Sequence, residues 1–106
     1  MKKFFFEYIE EAKKLTICDS YRKIAQYLDA PPIKISQWKQ GKGYVSPAEC
    51  AHLARLLGIT TEEIAYVIKA EREEIPEKKE YWYKEAEIFS RPINPPESLK
   101  LKNKKS

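Results

Sequence analysis

The sequence predicts an all-α fold, and three observations predict it. Apolar residues recur three or four apart from Phe5 to Ile68, no run alternates apolar and polar residues as a half-buried strand would, and only three glycines are available for turns. A chain of 106 residues points to one domain, or one domain with a tail, and 42% hydrophobic residues suffice for a single modest core.

Each element follows from local chemistry. Phe5, Ile9, Ala12 and Leu15, helped by Tyr8, form the inner stripe of a first amphipathic helix. Asp19 or Ser20 can cap a second, with Tyr21, Ile24, Ala25 and Leu28 facing inward. Asp29-Ala30-Pro31-Pro32 must turn, because Pro31 disfavours helical backbone at Ala30, whereas Pro32 is tolerated as the first residue of a third helix. That helix runs from about Pro32 to Gln40 and is stopped by Gly41 and Gly43. Ser46-Pro47-Ala48-Glu49 is a capping-box start for a fourth helix, which passes through Cys50, Leu53, Ala54 and Leu57 to a left-handed cap at Gly58. Thr60-Thr61-Glu62-Glu63 repeats the capping pattern for a fifth, with Ile64, Val67 and Ile68 inward. Pro76 separates a sixth segment, roughly Glu77 to Phe89. From Arg91 onward, Pro92, Pro95 and Pro96 precede Lys100, Lys102, Lys104 and Lys105, and residues 91–106 read as a largely disordered basic tail. The expected organisation is therefore a five-helix domain over 1–75, a sixth helix over 76–90 for packing or dimerisation, and the tail.

Composition excludes several function classes. No run of 18 apolar residues exists, so no membrane span is expected. Glu7, Glu10 and Glu11 interrupt the opening Lys2-Lys3-Phe4-Phe5-Phe6 before a signal-peptide core develops, and a soluble cytoplasmic protein is expected. Cys18 and Cys50 are too few for a disulfide framework and read as reduced thiols. Cys50-Ala51-His52 with distant Cys18 lacks the ligand count and spacing of a zinc site. No Gly-rich phosphate loop occurs, nor any nucleophile with a base and an orienting group, so neither a cofactor nor catalysis is expected. Net charge is +4, unevenly spread. Residues 1–45 hold nine Lys/Arg against five Asp/Glu, residues 46–90 six against ten, and residues 91–106 five against one. This segregation fits a basic face for a polyanion and an acidic side turned away, and equally an uneven solvated surface.

The second and third helices carry the functional argument. So short a connection makes them cross steeply and presents the third at the surface, the geometry of a helix-turn-helix with its recognition helix free for a major groove. Ile35 and Trp38, three apart, form the buried stripe of that helix, which leaves Pro32, Ile33, Lys34, Ser36, Gln37 and Gln40 to face outward.

Residues 20–68 resemble the helix-turn-helix of the lambda-repressor, Cro and XRE-type family. The matching pieces are the Ser20 cap, Ile24-Ala25, Ile35-Ser36-Gln37-Trp38, Gly41 and Ala54-Arg55-Leu56-Leu57-Gly58-Ile59, in order and at the right spacings, with the motif itself over 20–41. Glu71-Arg72, Pro76 and Trp82 further resemble small phage-related proteins with this domain. The resemblance implies double-stranded DNA as partner, base contacts from Pro32, Ile33, Lys34 and Gln37, and backbone contacts from Tyr21, Ser36, Gln40, Lys42 and Tyr44. Lys34 would donate to guanine, Gln37 would pair with adenine and Ile33 would meet a thymine methyl. Pro32 offers only packing, a departure from the polar residue often found there, and His52 stands at a position the family usually leaves exposed, which implies a surface histidine. Lys39 departs too: the family's usual glutamate there pairs with an arginine on the first helix, so a swapped pair of Lys39 with Glu11 or Glu7 is expected.

Tyr66, Ile68, Tyr81, Trp82, Ile88 and Phe89 exceed what a five-helix domain needs. They either cover its back or form a homodimer interface that spaces two recognition helices about 34 Å apart. The functional expectation is a phage or prophage transcriptional repressor. The alternatives are a protein-binding phage adaptor built on the same fold, working through the acidic fourth to sixth helices, and a non-specific DNA-binding accessory protein.

Overall fold

The computed structural model describes residues 3–101, which form six helices: α1 Phe5–Leu15, α2 Tyr21–Leu28, α3 Pro32–Lys39, α4 Pro47–Leu57, α5 Thr61–Arg72 and α6 Pro76–Ile88. No helix among them is long and apolar enough to cross a membrane. The all-α expectation holds, with each boundary within a residue or two of the capping signals.

The core gathers the predicted stripes. Phe5, Tyr8, Ile9 and Ala12 of α1 meet Ile24, Ala25 and Leu28 of α2, Ile35 and Trp38 of α3, Leu53, Ala54, Leu56 and Leu57 of α4, and Ile64 and Val67 of α5. Helix starts are satisfied locally. Ser20 Oγ accepts the Lys23 N–H at 3.2 Å, and Ser46 and Glu49 exchange hydrogen bonds in a full capping box at 2.9 and 3.1 Å. Thr60 caps α5 by accepting from Glu63 N, but the Glu63 carboxylate does not close a box. It turns into the core, where Tyr8 donates to it at 2.7 Å. Lacking a hydroxyl cap, α1 has the Glu71 carboxylate of α5 at its first turn, accepting from Phe5 N–H.

α5 and α6 pack antiparallel. The Thr60 hydroxyl, before α5, donates to Phe89 O after α6, while Lys79 near the start of α6 donates to the last carbonyls of α5, Ala70 and Glu71. Between them Tyr66 stacks on Trp82 with ring centroids 5.5 Å apart and 13° between planes, and Phe89 lies 5.7 Å from Tyr66. Of the six surplus residues, Tyr66, Ile68, Trp82 and Phe89 are thus half-buried within the chain itself, and Tyr81 and Ile88 are mainly exposed.

The structure corrects the reading of the tail. Residues 91–101 are an ordered strap laid back over the bundle, because the segment supplies apolar residues and backbone partners that the composition of its lysines obscures. Asn94 N–H donates to Leu57 O at 2.9 Å, Ile17 N–H to Leu99 O at 2.9 Å, and Leu101 N–H to Leu15 O at 3.1 Å. Ile93 and Leu99 pack on the core and Pro95 is buried. The strap passes so close to the end of α4 that a Cβ on Gly58, whose φ is +69°, would stand 1.9 Å from Asn94 O. Lys102, Lys104 and Lys105 lie outside the described residues.

Candidate nucleic-acid interface

The turn that presents α3 is built by three residues, Asp29, Ala30 and Pro31. Asp29 takes the left-handed conformation, with φ 56° and ψ 45°, and closes α2. Such a conformation is least strained for Gly, Asn and Asp, and an aspartate stands here. Ala30 N–H then donates to Ala25 O at 2.9 Å and the alanine is buried, so chain direction reverses within one turn. Pro31 and Pro32 follow, trans like every described peptide bond, and Pro32 begins α3 where its absent N–H has no intrahelical partner to lose.

Trp38 locks α3 to the domain. Its ring is 2% exposed and meets the Phe5 ring edge-on at 5.4 Å, while its indole N–H donates to Tyr44 O at 3.2 Å. With Ile35 also buried, Pro32, Ile33, Ser36, Gln37 and Gln40 are left exposed, as expected. Lys34 is the exception. Its ammonium sits 3.0 Å from both carboxylate oxygens of Glu49, with only 21% of the side chain exposed and 7% of its partner's. The Trp38 and Tyr44 rings lie 5.8 and 5.7 Å from the same ammonium. Lys34 is therefore drawn inward by a carboxylate that already caps α4, and the expected outward lysine is a bridge between α3 and α4.

The loop after α3 is shaped around Gln37. Gly41 and Gly43 both have positive φ, and Lys42 N–H donates to Gln37 O at 2.9 Å. A Cβ at Gly43 would come within 2.9 Å of Gln37 Oε1, so the glutamine side chain lies along the loop. Arg72, at the end of α5, donates to Gly43 O at 2.7 Å and ties the loop to the domain. Lys42 and Tyr44 are exposed on this loop, with Tyr44 at 68%.

Tyr21 sits differently from its expected role. Its hydroxyl donates to the Glu10 carboxylate, which raises its pKa, and its half-buried ring leans on Phe6 at 5.9 Å. Lys13 lies 4.2 Å and Lys39 5.9 Å from the ring centroid. What Tyr21 offers an anion is two lysines gathered at its ring rather than a free hydroxyl. The expected pairing of Lys39 with Glu11 or Glu7 does not form: Lys39 is in no ion pair among the described residues, Glu7 accepts from Phe4 N–H at 3.3 Å, and Glu10 has taken the neighbouring hydroxyl. Arg22 and Lys23 complete the exposed cations at the start of α2. Lys23 is 3.1 Å from Asp19, whose carboxyl it holds below the ordinary range.

Three contributions escaped the sequence reading: the Glu49 bridge to Lys34, the Arg72 latch on the loop and the Lys13 neighbour of Tyr21. None leaves a signal at fixed spacing, since each joins separate elements. His52, expected on the surface, is half-buried with Nδ1 3.3 Å from Leu28 O, at the end of α2. Cys18 and Cys50 are buried free thiols, and burial raises both, Cys50 to about 11, which leaves them protonated and unreactive at neutral pH. No protein-family model, no curated protein and no solved structure matches this chain.

Proposed function

We propose that this chain binds duplex DNA by setting α3 in the major groove and represses transcription by occupying an operator. The observation that carries this reading is the presentation of α3: one face is anchored by Ile35 and Trp38, and the other leaves Pro32, Ile33, Ser36, Gln37 and Gln40 exposed after a three-residue turn. Direct readout then falls mainly on Gln37, toward adenine, and Ile33, 61% exposed, toward a thymine methyl. Lys34 reaches a guanine only by leaving Glu49. Lys39 and Lys13 at Tyr21 on one side, and Lys42 and Tyr44 on the other, hold the phosphate backbone.

Selection from random duplexes followed by fluorescence anisotropy, at near-physiological salt and against excess competitor, tests this. An enriched site bound by the wild type and weakened at least tenfold by Gln37→Ala, a substitution on an exposed side chain, is the expected result, since one bidentate base contact is worth roughly 1–3 kcal/mol. No enriched site, or equal binding by both proteins, refutes it.

One observation favours a second reading, a protein-binding adaptor. Ile33 and Tyr44 expose apolar surface on either side of a lysine already neutralised by Glu49, a combination better suited to a protein groove than to phosphate. Retention of a folded, monomeric chain with no DNA affinity in the selection points to that use.

A further inference from the structure

A cavity of about 310 Å³ lies between α1, α5, α6 and the first residues of the strap, on a side of the domain that neither α3 nor its loop lines. Its size is at the lower end of small-molecule sites. Glu63 on its wall is only 7% exposed. One of its oxygens accepts the Tyr8 hydroxyl at 2.7 Å, and the other, Oε1, is buried with no hydrogen-bond partner. A buried carboxylate oxygen without a donor is expensive, and native folds seldom leave one.

The chain brings cations near without supplying that donor. Lys3 lines the cavity, yet its ammonium lies over the Tyr8 ring, 4.5 Å from the centroid, and Glu63 takes part in no ion pair among the described residues. Glu11 and Glu87 add two more carboxylates to the wall against Lys3 and Arg91, so the lining carries three acidic groups and two basic ones. The carboxylates do not converge as metal ligands: no group of three or more His, Cys, Asp or Glu side chains among the described residues could hold a metal ion. Val67, Ala86, Pro92, Ile93 and the ring of Tyr83 supply the apolar part of the wall, beside these charged groups.

We propose that this cavity binds a small organic cation, an ammonium or guanidinium group on a short aliphatic body, with Glu63 as its anchoring carboxylate. The terminal torsion of glutamate is soft, so a modest turn of the carboxylate brings Oε1 to the bound N–H while Oε2 keeps Tyr8. An anion is disfavoured by the net negative lining, and a neutral alcohol would leave the charge of Glu63 uncompensated.

The test is a titration of the full chain, followed by amide NMR and by thermal unfolding, with n-butylammonium and methylguanidinium chlorides. Sodium chloride, sodium butyrate and n-butanol serve as controls. The expected result is saturable shifts of the Tyr8 and Thr61–Val67 amides with at least one cation at roughly millimolar concentration, as suits so few atoms, and a rise in Tm that the controls lack. Glu63→Gln, which keeps an acceptor for Tyr8, is expected to weaken this at least tenfold. Should that variant not fold, Glu87→Gln decides, because Glu87 is exposed and its loss is expected to weaken binding about threefold with the fold intact. Absence of saturable shifts with both cations, shifts matched by the controls, or affinity unchanged in the folded variants overturns the proposal.

Discussion

Replacement of Gly58 by alanine should separate two costs that usually arrive together. Gly58 sits at φ +69°, where any side chain is strained by about 1 kcal/mol. Its Cβ would also stand 1.9 Å from Asn94 O, against an ordinary contact above 3.4 Å, so the strap must retreat by more than an ångström. That movement breaks the 2.9 Å bond from Asn94 N–H to Leu57 O and loosens Ile93 on the core, for about 2 kcal/mol more. Gly41 is the internal control, with φ +78° and nothing within 4 Å of its added Cβ. Gly58→Ala is therefore expected to lose about 3 kcal/mol, or roughly 12–24 °C in Tm, and Gly41→Ala about 1 kcal/mol, or roughly 4–8 °C. Thermal unfolding reads the difference, and hydrogen exchange locates it: the Asn94, Ile17 and Leu101 amides should lose protection in Gly58→Ala while helix amides of α4 keep theirs. Equal losses in the two variants would refute the argument, since they would mean that the strap does not press on Gly58.

Lys34→Ala is expected to destabilise the fold by about 1–2 kcal/mol by leaving a nearly buried Glu49 carboxylate short of a charge partner, whereas Gln37→Ala should change stability by less than about 0.5 kcal/mol. Urea denaturation of both variants checks this, and a silent Lys34→Ala would show the bridge to be inconsequential. Arg72→Ala should lower stability by less than about 1 kcal/mol, because Arg72 is exposed, yet on the proposed reading it should weaken DNA binding severalfold through the freed loop. Unchanged affinity for the selected site would remove the loop from the interface. The Cys50 thiol is raised by burial from 9.0 to about 11, so it contributes stability that is fully present below pH 9 and is lost as pH rises towards 11, by up to about 2 kcal/mol. Stability measured from pH 8 to 11 should fall less steeply in Cys50→Ala than in the wild type, and parallel curves would contradict the assignment.

Helix boundaries were legible because they depend on neighbours in sequence. Ser20, Ser46 and Thr60 each accept an N–H three residues on, and Gly58 closes α4 in the left-handed region, as local chemistry requires. The stripe of Ile35 and Trp38 was legible for the same reason. The strap was not, because three prolines and a run of lysines have the composition of a disordered segment, while its order rests on backbone bonds to Leu15, Ile17 and Leu57, far away in sequence. The Lys39 pairing failed because its expected partners are engaged or face elsewhere: Glu7 accepts from Phe4 N–H at its own helix start, and Glu11 lines the cavity against α5 and α6.

Lys34 shows how a correct helix can carry a misread side chain. Its place on α3, one residue before buried Ile35, puts its Cα near the edge of the outward face, from which a four-carbon stem can swing either way. Glu49 decides the direction, for its carboxylate is fixed by the Ser46 N–H at 2.9 Å and is therefore pre-positioned at no further entropic loss. To reach a base, the ammonium must give up a bridge whose carboxylate has little access to water. A guanine contact worth roughly 1–3 kcal/mol barely offsets that loss. Specificity on the proposed reading should consequently rest on Gln37 and Ile33. It should also depend on Glu49: Glu49→Gln weakens the bridge without removing the hydrogen-bond acceptor for Ser46, and it should raise affinity for sites with guanine at the Lys34 register relative to those without. Competition anisotropy with paired duplexes reads this ratio. A ratio unchanged from the wild type would mean that Lys34 takes no part in reading, free or tethered.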